Sequence, residues 1–168
     1  MKLASLDSTD RAILEVLQED CKTALQEIGR RVGLSAPSVI ERIKKLEQRG
    51  VIKGYHVALD ARALGLTVGT FIGVSMNYPK GISVVEKKVL TLPEVLECHH
   101  VTGGVTLLLK VKTRDTGALE TLISRIRAIP GVERTETMVV LSTRSERHAL
   151  PLAASEDENE EAEEAAHG

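Results

Sequence analysis

Residues 24–54, ALQEIGRRVGLSAPSVIERIKKLEQRGVIKG, constrain the fold more than any other part of the chain. The stretch reads as a short helix, a tight turn at Gly33-Leu34 and a longer helix rich in Lys and Arg. That arrangement places one helix in a DNA major groove. In the shorter helix Leu25, Ile28 and Val32 fall on one face, and Gly33 suits the left-handed residue that ends it. Thr23, followed three residues later by Gln26, is the expected cap at its start. Ser35 is the expected cap of the longer helix, with Pro37 in the first turn, where a missing N–H costs little. Its apolar face is predicted to be Val39, Ile40, Ile43 and Leu46, and Gly50 stops it. At 100° per residue the opposite face carries Ser38, Glu41, Lys45 and Gln48, with Arg42 and Lys44 on the two shoulders. Upstream, Asp7 caps a first helix whose buried stripe is Ile13, Leu14 and Leu17, and Asp10 stands in the position of a capping box.

Charge supports the same reading. The formal net charge of -2 hides an uneven distribution, because residues 155–168 hold seven of the 24 acidic residues and no Lys or Arg. The remainder carries 22 basic against 17 acidic residues, a formal +5. Between Lys22 and Lys53 eight basic residues face three acidic ones. A basic head of this kind suits the phosphate backbone of double-stranded DNA. The acidic tail cannot bury enough apolar surface to fold and is expected to be disordered.

From Val51 to Leu59 the pattern alternates weakly, which predicts a short strand or an extended linker, and Ala61–Leu64 adds a turn before Gly65. Beyond it the chain repeats a unit. Strands are predicted over 68–78, 95–101, 105–112 and 132–141, with helices marked by Ile82, Val85 and Val89 and by Leu119, Leu122, Ile123 and Ile126. The order βαββαβ is the split ferredoxin-like motif. The third strand, VTLLLKVK, is apolar at nearly every position, so both its faces need cover: helices on one, another subunit on the other.

The fold class expected is therefore α+β. A winged-type helix-turn-helix domain over 1–55 is joined through a linker with a short strand, 56–67, to a ferredoxin-like regulatory and oligomerisation domain, 68–154. The acidic tail occupies 155–168. Three aromatic rings in 168 residues leave almost no material for stacking bases. Two cysteines are too few for a secreted disulfide scaffold. No apolar run approaches the roughly 20 residues of a membrane span, and residues 1–11 lack the apolar segment of a signal peptide. A cytoplasmic protein that does not engage membranes is expected. There is no Walker-type loop, no dinucleotide fingerprint and no nucleophile–base spacing, so neither an enzyme nor a cofactor is expected.

With both halves read, the chain resembles the leucine-responsive/asparagine-regulator (Lrp/AsnC) family of prokaryotic transcription factors over about Leu6 to Leu141. LDSTDRAILEVLQED is similar to that family's first helix and VGLSAPSVIERIKKLEQRGVIKGY to its recognition helix and exit. PEVLECHHVTG with the following LLLKV strand, and PGVERTETMVVLS, are similar to its regulatory domain. The resemblance implies operator binding as dimers that often assemble into octamers, and a response to an amino acid bound between regulatory domains. One segment departs from the family pattern of TG-x-x-Asp-Tyr. Thr106 stands at the acidic position and Leu107 at the aromatic one, so no ionic partner for an amino group is offered there.

Candidate DNA-contacting residues are Ser35, Ala36, Ser38, Glu41, Arg42 and Lys45. Ser35 and Ala36 lie at the helix N-terminus, where N–H groups and a hydroxyl suit a phosphate. Ser38, Glu41, Arg42 and Lys45 are placed to meet base edges or phosphates. Arg42 could instead pin the helix packing through a charged bond, and Glu41 could pair with Lys45 four residues on. Arg30, Arg31, Lys44 and Arg49 read as phosphate-positioning or solvated charges. Candidate effector residues are Thr102, Gly103, Gly104, Thr106, Thr135 and Thr137: glycines permit close backbone approach and hydroxyls can hold a zwitterion. The plain alternative is a turn followed by outward-facing strand threonines. In the Cys98-His99-His100 run, Cys98 and His100 share one strand face and His99 takes the other, which favours ordinary strand residues over a metal site. The leading reading is a DNA-binding regulator, and its rival an effector-independent architectural protein that wraps DNA.

Overall fold

The computed structural model describes residues 6–76 and 82–152. The N-terminal five residues, Tyr78 at the end of the first expected strand, and the acidic tail lie outside the described residues. The chain divides into two compact units, Met1–Val57 with Glu146–Gly168, and Ala58–Ser145.

The first unit holds α1 (Ser8–Glu19), α2 (Leu25–Val32) and α3 (Ala36–Gln48). Asp7 caps α1 as expected, its carboxylate accepting the Asp10 N–H at 2.6 Å. Ile13, Val16, Ile28 and Val39 form the buried centre, with Leu17, Leu25, Val32, Leu34 and Ile43 packed around them. Gly33, at φ 69°, ends α2 in the left-handed region, and Ser35 caps α3 by accepting the Ser38 N–H.

Three expectations for this unit are corrected. Thr23 does not cap α2: its hydroxyl donates back to the Asp20 carbonyl at 2.8 Å, and Ala24 is the cap residue, with no side-chain bond. Ile40 is not on the inner face, because the stripe Val39–Ile43–Leu46 makes the packing and leaves Ile40 36% exposed on its shoulder. Over 51–59 the linker forms, the second of the two expected alternatives, and the short strand does not. That segment runs without a ladder partner and leaves Tyr55, Val57 and Leu59 exposed. Tyr55 is tied back to α3 by a bond from its hydroxyl to Glu47 at 2.9 Å. Partial burial, then the Glu47 carboxylate, push its phenol up to about 12. Residues 146–152, which the sequence reading gives to the second domain, group with the helical unit. The Gln18 side-chain amide accepts from Leu150 N–H at 2.6 Å and donates to Leu150 carbonyl at 3.2 Å, gripping the chain from both sides.

The second unit contains β1 (Val68–Met76), α4 (Ile82–Val89), β2 (Val95–His100), β3 (Leu107–Thr113), α5 (Thr116–Arg127) and β4 (Val132–Val139). The strands form one antiparallel sheet in the order β2-β3-β1-β4, the split ferredoxin-like topology. Burial along β3 alternates strictly: Leu107, Leu109, Val111 and Thr113 are buried and the residues between are half-buried. The buried set joins Ile72 and Val74 of β1, Val85 and Val89 of α4, and Leu119, Leu122 and Ile126 of α5 in one core. The third strand begins at Leu107 rather than Val105, because 101–106 form an irregular loop. Within it Thr106 N–H donates to the Val74 carbonyl and Val101 N–H to the Thr106 carbonyl.

Among the described residues no helix covers the sheet's other face. The register sets Glu97, Lys110, Phe71 and Met138 in one row across it, and His99, Leu108, Gly73 and Glu136 in the next. Glu97 binds Lys110 Nζ and His99 Nε2, each at 2.9 Å. Phe71 and Met138 stay 36% and 47% exposed at its centre. No helix among the described residues is long and apolar enough to cross a membrane.

Candidate nucleic-acid interface and effector region

The tight turn between α2 and α3 rests on Gly29. A Cβ there would lie 2.4 Å from the Leu34 carbonyl oxygen, and Leu34 N–H donates to the Gly29 carbonyl at 2.9 Å. The close approach of α3 to α2 therefore needs a residue without a side chain. The sequence reading singled out Gly33 and missed Gly29; its only signal was a glycine inside a helix, where glycine is otherwise unfavourable.

At the start of α3, the hydroxyls of Ser35 and Ser38 share a hydrogen bond at 2.8 Å, and Ser35 also holds the Ser38 N–H. Ala36 is half-buried and Ser38 exposed. One turn on, Glu41 and Lys45 form an exposed pair at 2.7 Å, and the Lys45 bond holds the Glu41 carboxyl below its usual range. An exposed pair of this kind contributes little, so a phosphate can recruit Lys45 from it. Ser38, Glu41 and Lys45 thus make one exposed row, as the helical period requires.

Arg42 is drawn out of that row. Its Nη1 donates to Asp7 Oδ2 and to Asp10 Oδ1, both at 2.7 Å, the charged packing bond that is one of the two roles open to it by sequence. The Arg42 bond, with the Asp10 N–H second, holds the Asp7 carboxyl below its ordinary value. Arg49 approaches Asp10 Oδ2 at 3.8 Å. On α2, Glu27 takes both Arg30 and Arg31, at 2.8 and 3.0 Å, and these bonds lower its carboxyl to about 2. These two arginines, expected as phosphate-positioning or solvated charges, are paired on their own helix.

The effector candidates do not converge within the chain. Thr102, Gly103 and Gly104 are exposed in the β2–β3 loop, with Gly103 at φ 114°. Nothing apart from their chain neighbours lies within 4 Å of a Cβ built at either glycine, so the space beside both is open. Thr106 is half-buried and bonded through its N–H to Val74, while Thr135 sits opposite Val74 and Thr137 opposite Ile72 on β4. Strand β1 thus separates Thr106 from Thr135 by two strand spacings, about 10 Å. Leu107, at the position of the family's aromatic residue, is fully buried in the core.

Cys98 and His100 pair with Leu109 and Leu107, and His99 with Leu108 on the open face, as the alternation predicts. Burial, then Glu86, push the Cys98 thiol up, away from the thiolate that a metal would need. Among the described residues no group of three His, Cys, Asp or Glu side chains is placed to hold a metal ion.

Two family models match this chain in sequence order: an AsnC-type helix-turn-helix domain over residues 6–47 and an Lrp/AsnC ligand binding domain over 70–150. The chain is 37% identical over 147 residues to the HTH-type transcriptional regulator FL11 of Pyrococcus horikoshii, covering 88% of this chain and 97% of that protein. It is similar to the crystal structure of a Neisseria meningitidis transcriptional regulator in complex with L-Met. That likeness has a TM-score of 0.83 and 31% identity, with 88% of this chain and 97% of the other covered. A feast or famine regulatory protein from M. tuberculosis, complexed with L-methionine, is similar at TM-score 0.82 and 30% identity, with 87% and 99% covered.

Proposed function

The chain belongs to the Lrp/AsnC family of helix-turn-helix transcriptional regulators, and from that premise we propose that it binds specific operator sequences as a homo-oligomer and responds to an amino acid. The observation that carries the DNA reading is α3 itself. It is capped by Ser35, held against α2 by the Gly29 contact, and presents Ser38, Glu41 and Lys45 outward as one exposed row. With α3 in a major groove, those three side chains meet base edges and phosphates, while Ser35 and Ala36 bring the helix N-terminus to a phosphate. The regulators of this family are not enzymes, and the residues here carry recognition rather than chemistry.

The open sheet face, centred on Phe71 and Met138, supplies the dimer contact, and further pairing of dimers builds the octamer. Two heads related by a two-fold axis read half-sites one helical turn, or a multiple of it, apart. DNase footprinting separates this from the architectural alternative. Protection confined to a few defined sites supports a specific regulator, whereas broad coverage that fades with salt on any sequence supports wrapping.

An amino-acid effector is supported by the two similar structures, one a complex with L-Met and the other with L-methionine. Thr102, Gly103, Gly104, Thr106, Thr135 and Thr137 line the proposed site. Because β1 divides them, a ligand at the Thr102–Thr106 loop needs a second subunit to complete its surroundings. A thermal-shift screen of the purified protein against the twenty amino acids at millimolar concentration is expected to raise the melting temperature with at least one. No shift with any of them would favour the effector-independent reading, in line with Thr106 and Leu107 at the positions of the family's acidic and aromatic residues.

A further inference from the structure

We propose that Arg42 is a positioning residue of the DNA-binding head: its clamp on Asp7 and Asp10 sets the roll of α3, and thereby aims Ser38, Glu41 and Lys45, without Arg42 touching DNA. This rests on the reading of α3 as the recognition helix. The aliphatic stripe Val39, Ile43 and Leu46 decides which face of α3 is buried, but apolar contact is non-directional and leaves rotation about the helix axis soft. Charge-assisted hydrogen bonds are directional. Arg42 makes two of them, both at 2.7 Å, to carboxylates 35 and 32 residues earlier in the chain.

The acceptors are themselves fixed. Asp7 uses one oxygen to cap α1 and the other to take Arg42, so a single carboxylate joins the start of α1 to the pose of α3. Asp10 is only 7% exposed, and its second oxygen faces Arg49, two turns further along α3. Two points of reference along one helix define both its roll and its slide. Side-chain atoms at the surface of a helix lie about 6 Å from its axis, so a roll of about 20° shifts them by about 2 Å, more than a hydrogen bond tolerates.

The test uses the full chain and a duplex selected by the parent protein, with dissociation constants measured across a salt series. Circular dichroism checks that each protein is folded at the assay temperature. Asp10→Asn removes a negative charge from a head that binds a polyanion, so electrostatics alone would tighten binding; the clamp predicts the opposite, a weakening of roughly tenfold. Arg42→Gln is expected to weaken binding similarly, the double variant no further than the weaker single, and the salt slopes of the two singles to coincide. Arg42→Lys should keep binding within about threefold, since one nitrogen serves both carboxylates in the parent. If Asp10→Asn does not fold, Asp7→Ser, which keeps a capping oxygen and removes one partner of Arg42, is measured in its place with the same sign expected.

Lys45→Ala serves as the direct-contact comparison: weaker binding and a salt slope smaller by about one. An Asp10→Asn protein that binds as tightly as the parent or tighter overturns the proposal. So does an Arg42→Gln cost that persists in the Asp10→Asn background with a slope lower by about one, since Arg42 would then touch a phosphate. Unchanged binding and slope for Lys45→Ala would instead overturn the reading of α3 as the recognition helix, and the clamp's role with it.

Discussion

A Gly29→Ala protein is expected to lose most of the stability of its helical head. Glycine inside a helix is ordinarily worse than alanine by about 1 kcal/mol, so propensity alone predicts a gain. Here the sign reverses, because the new Cβ would lie 2.4 Å from the Leu34 carbonyl oxygen. That oxygen belongs to backbone in the turn between α2 and α3 and cannot rotate away as a side-chain tip could. Relief requires opening the turn, which breaks the Leu34–Gly29 hydrogen bond and separates the Ile28 and Val39 contact at the centre of the core. A cost of about 3 kcal/mol or more is the scale of such a steric change, against the roughly 5 kcal/mol at the low end of small-domain stability. Melting followed by far-UV circular dichroism should show the helical transition lowered by about 12 °C or more. A Gly29→Ala protein melting with or above the parent would mean that α3 does not sit this close to α2.

The second large effect is expected at the open face of the sheet. Phe71 lies between Lys110 of β3 and Met138 of β4, with Leu108 in the next row. A Phe71→Glu side chain can meet Lys110 within one subunit, so the isolated fold should stand. In a dimer closed over this face that carboxylate would be buried beside a Lys110 that already serves Glu97, one negative charge in excess, at a cost of about 3 kcal/mol or more, a hundredfold or greater loss of association. Light scattering coupled to size exclusion at micromolar concentration is expected to show a dimer or larger assembly for the parent and a monomer for the variant. Equal masses for the two would place the subunit contact elsewhere.

Much of this architecture is legible in the sequence because its causes are local. The caps at Asp7 and Ser35 and the left-handed Gly33 each depend on neighbours a few residues away. Thr23 shows how a local signal fails: the turn before α2 offers the Asp20 carbonyl to the same hydroxyl, and that bond forms instead of the cap. Arg42 stood on a helix shoulder with two roles open. Its carboxylates lie a whole helix earlier in sequence, where helical periodicity carries no information about the pair. Gly29 and the Gln18 grip on Leu150 were illegible for the same reason, since each depends on a contact set by packing. The effector threonines read as a cluster because the sequence does not reveal that the strand register puts β1 between them.

The central claim, that α3 reads specific DNA on behalf of a two-fold assembly, is tested most directly by selection from a randomised duplex library with the purified full chain, followed by footprinting on the enriched sequences. The account predicts a pseudo-palindrome whose half-sites are about 10 base pairs apart or a multiple of that, with protection limited to it. An unenriched pool, bound everywhere alike and released uniformly by salt, would contradict it.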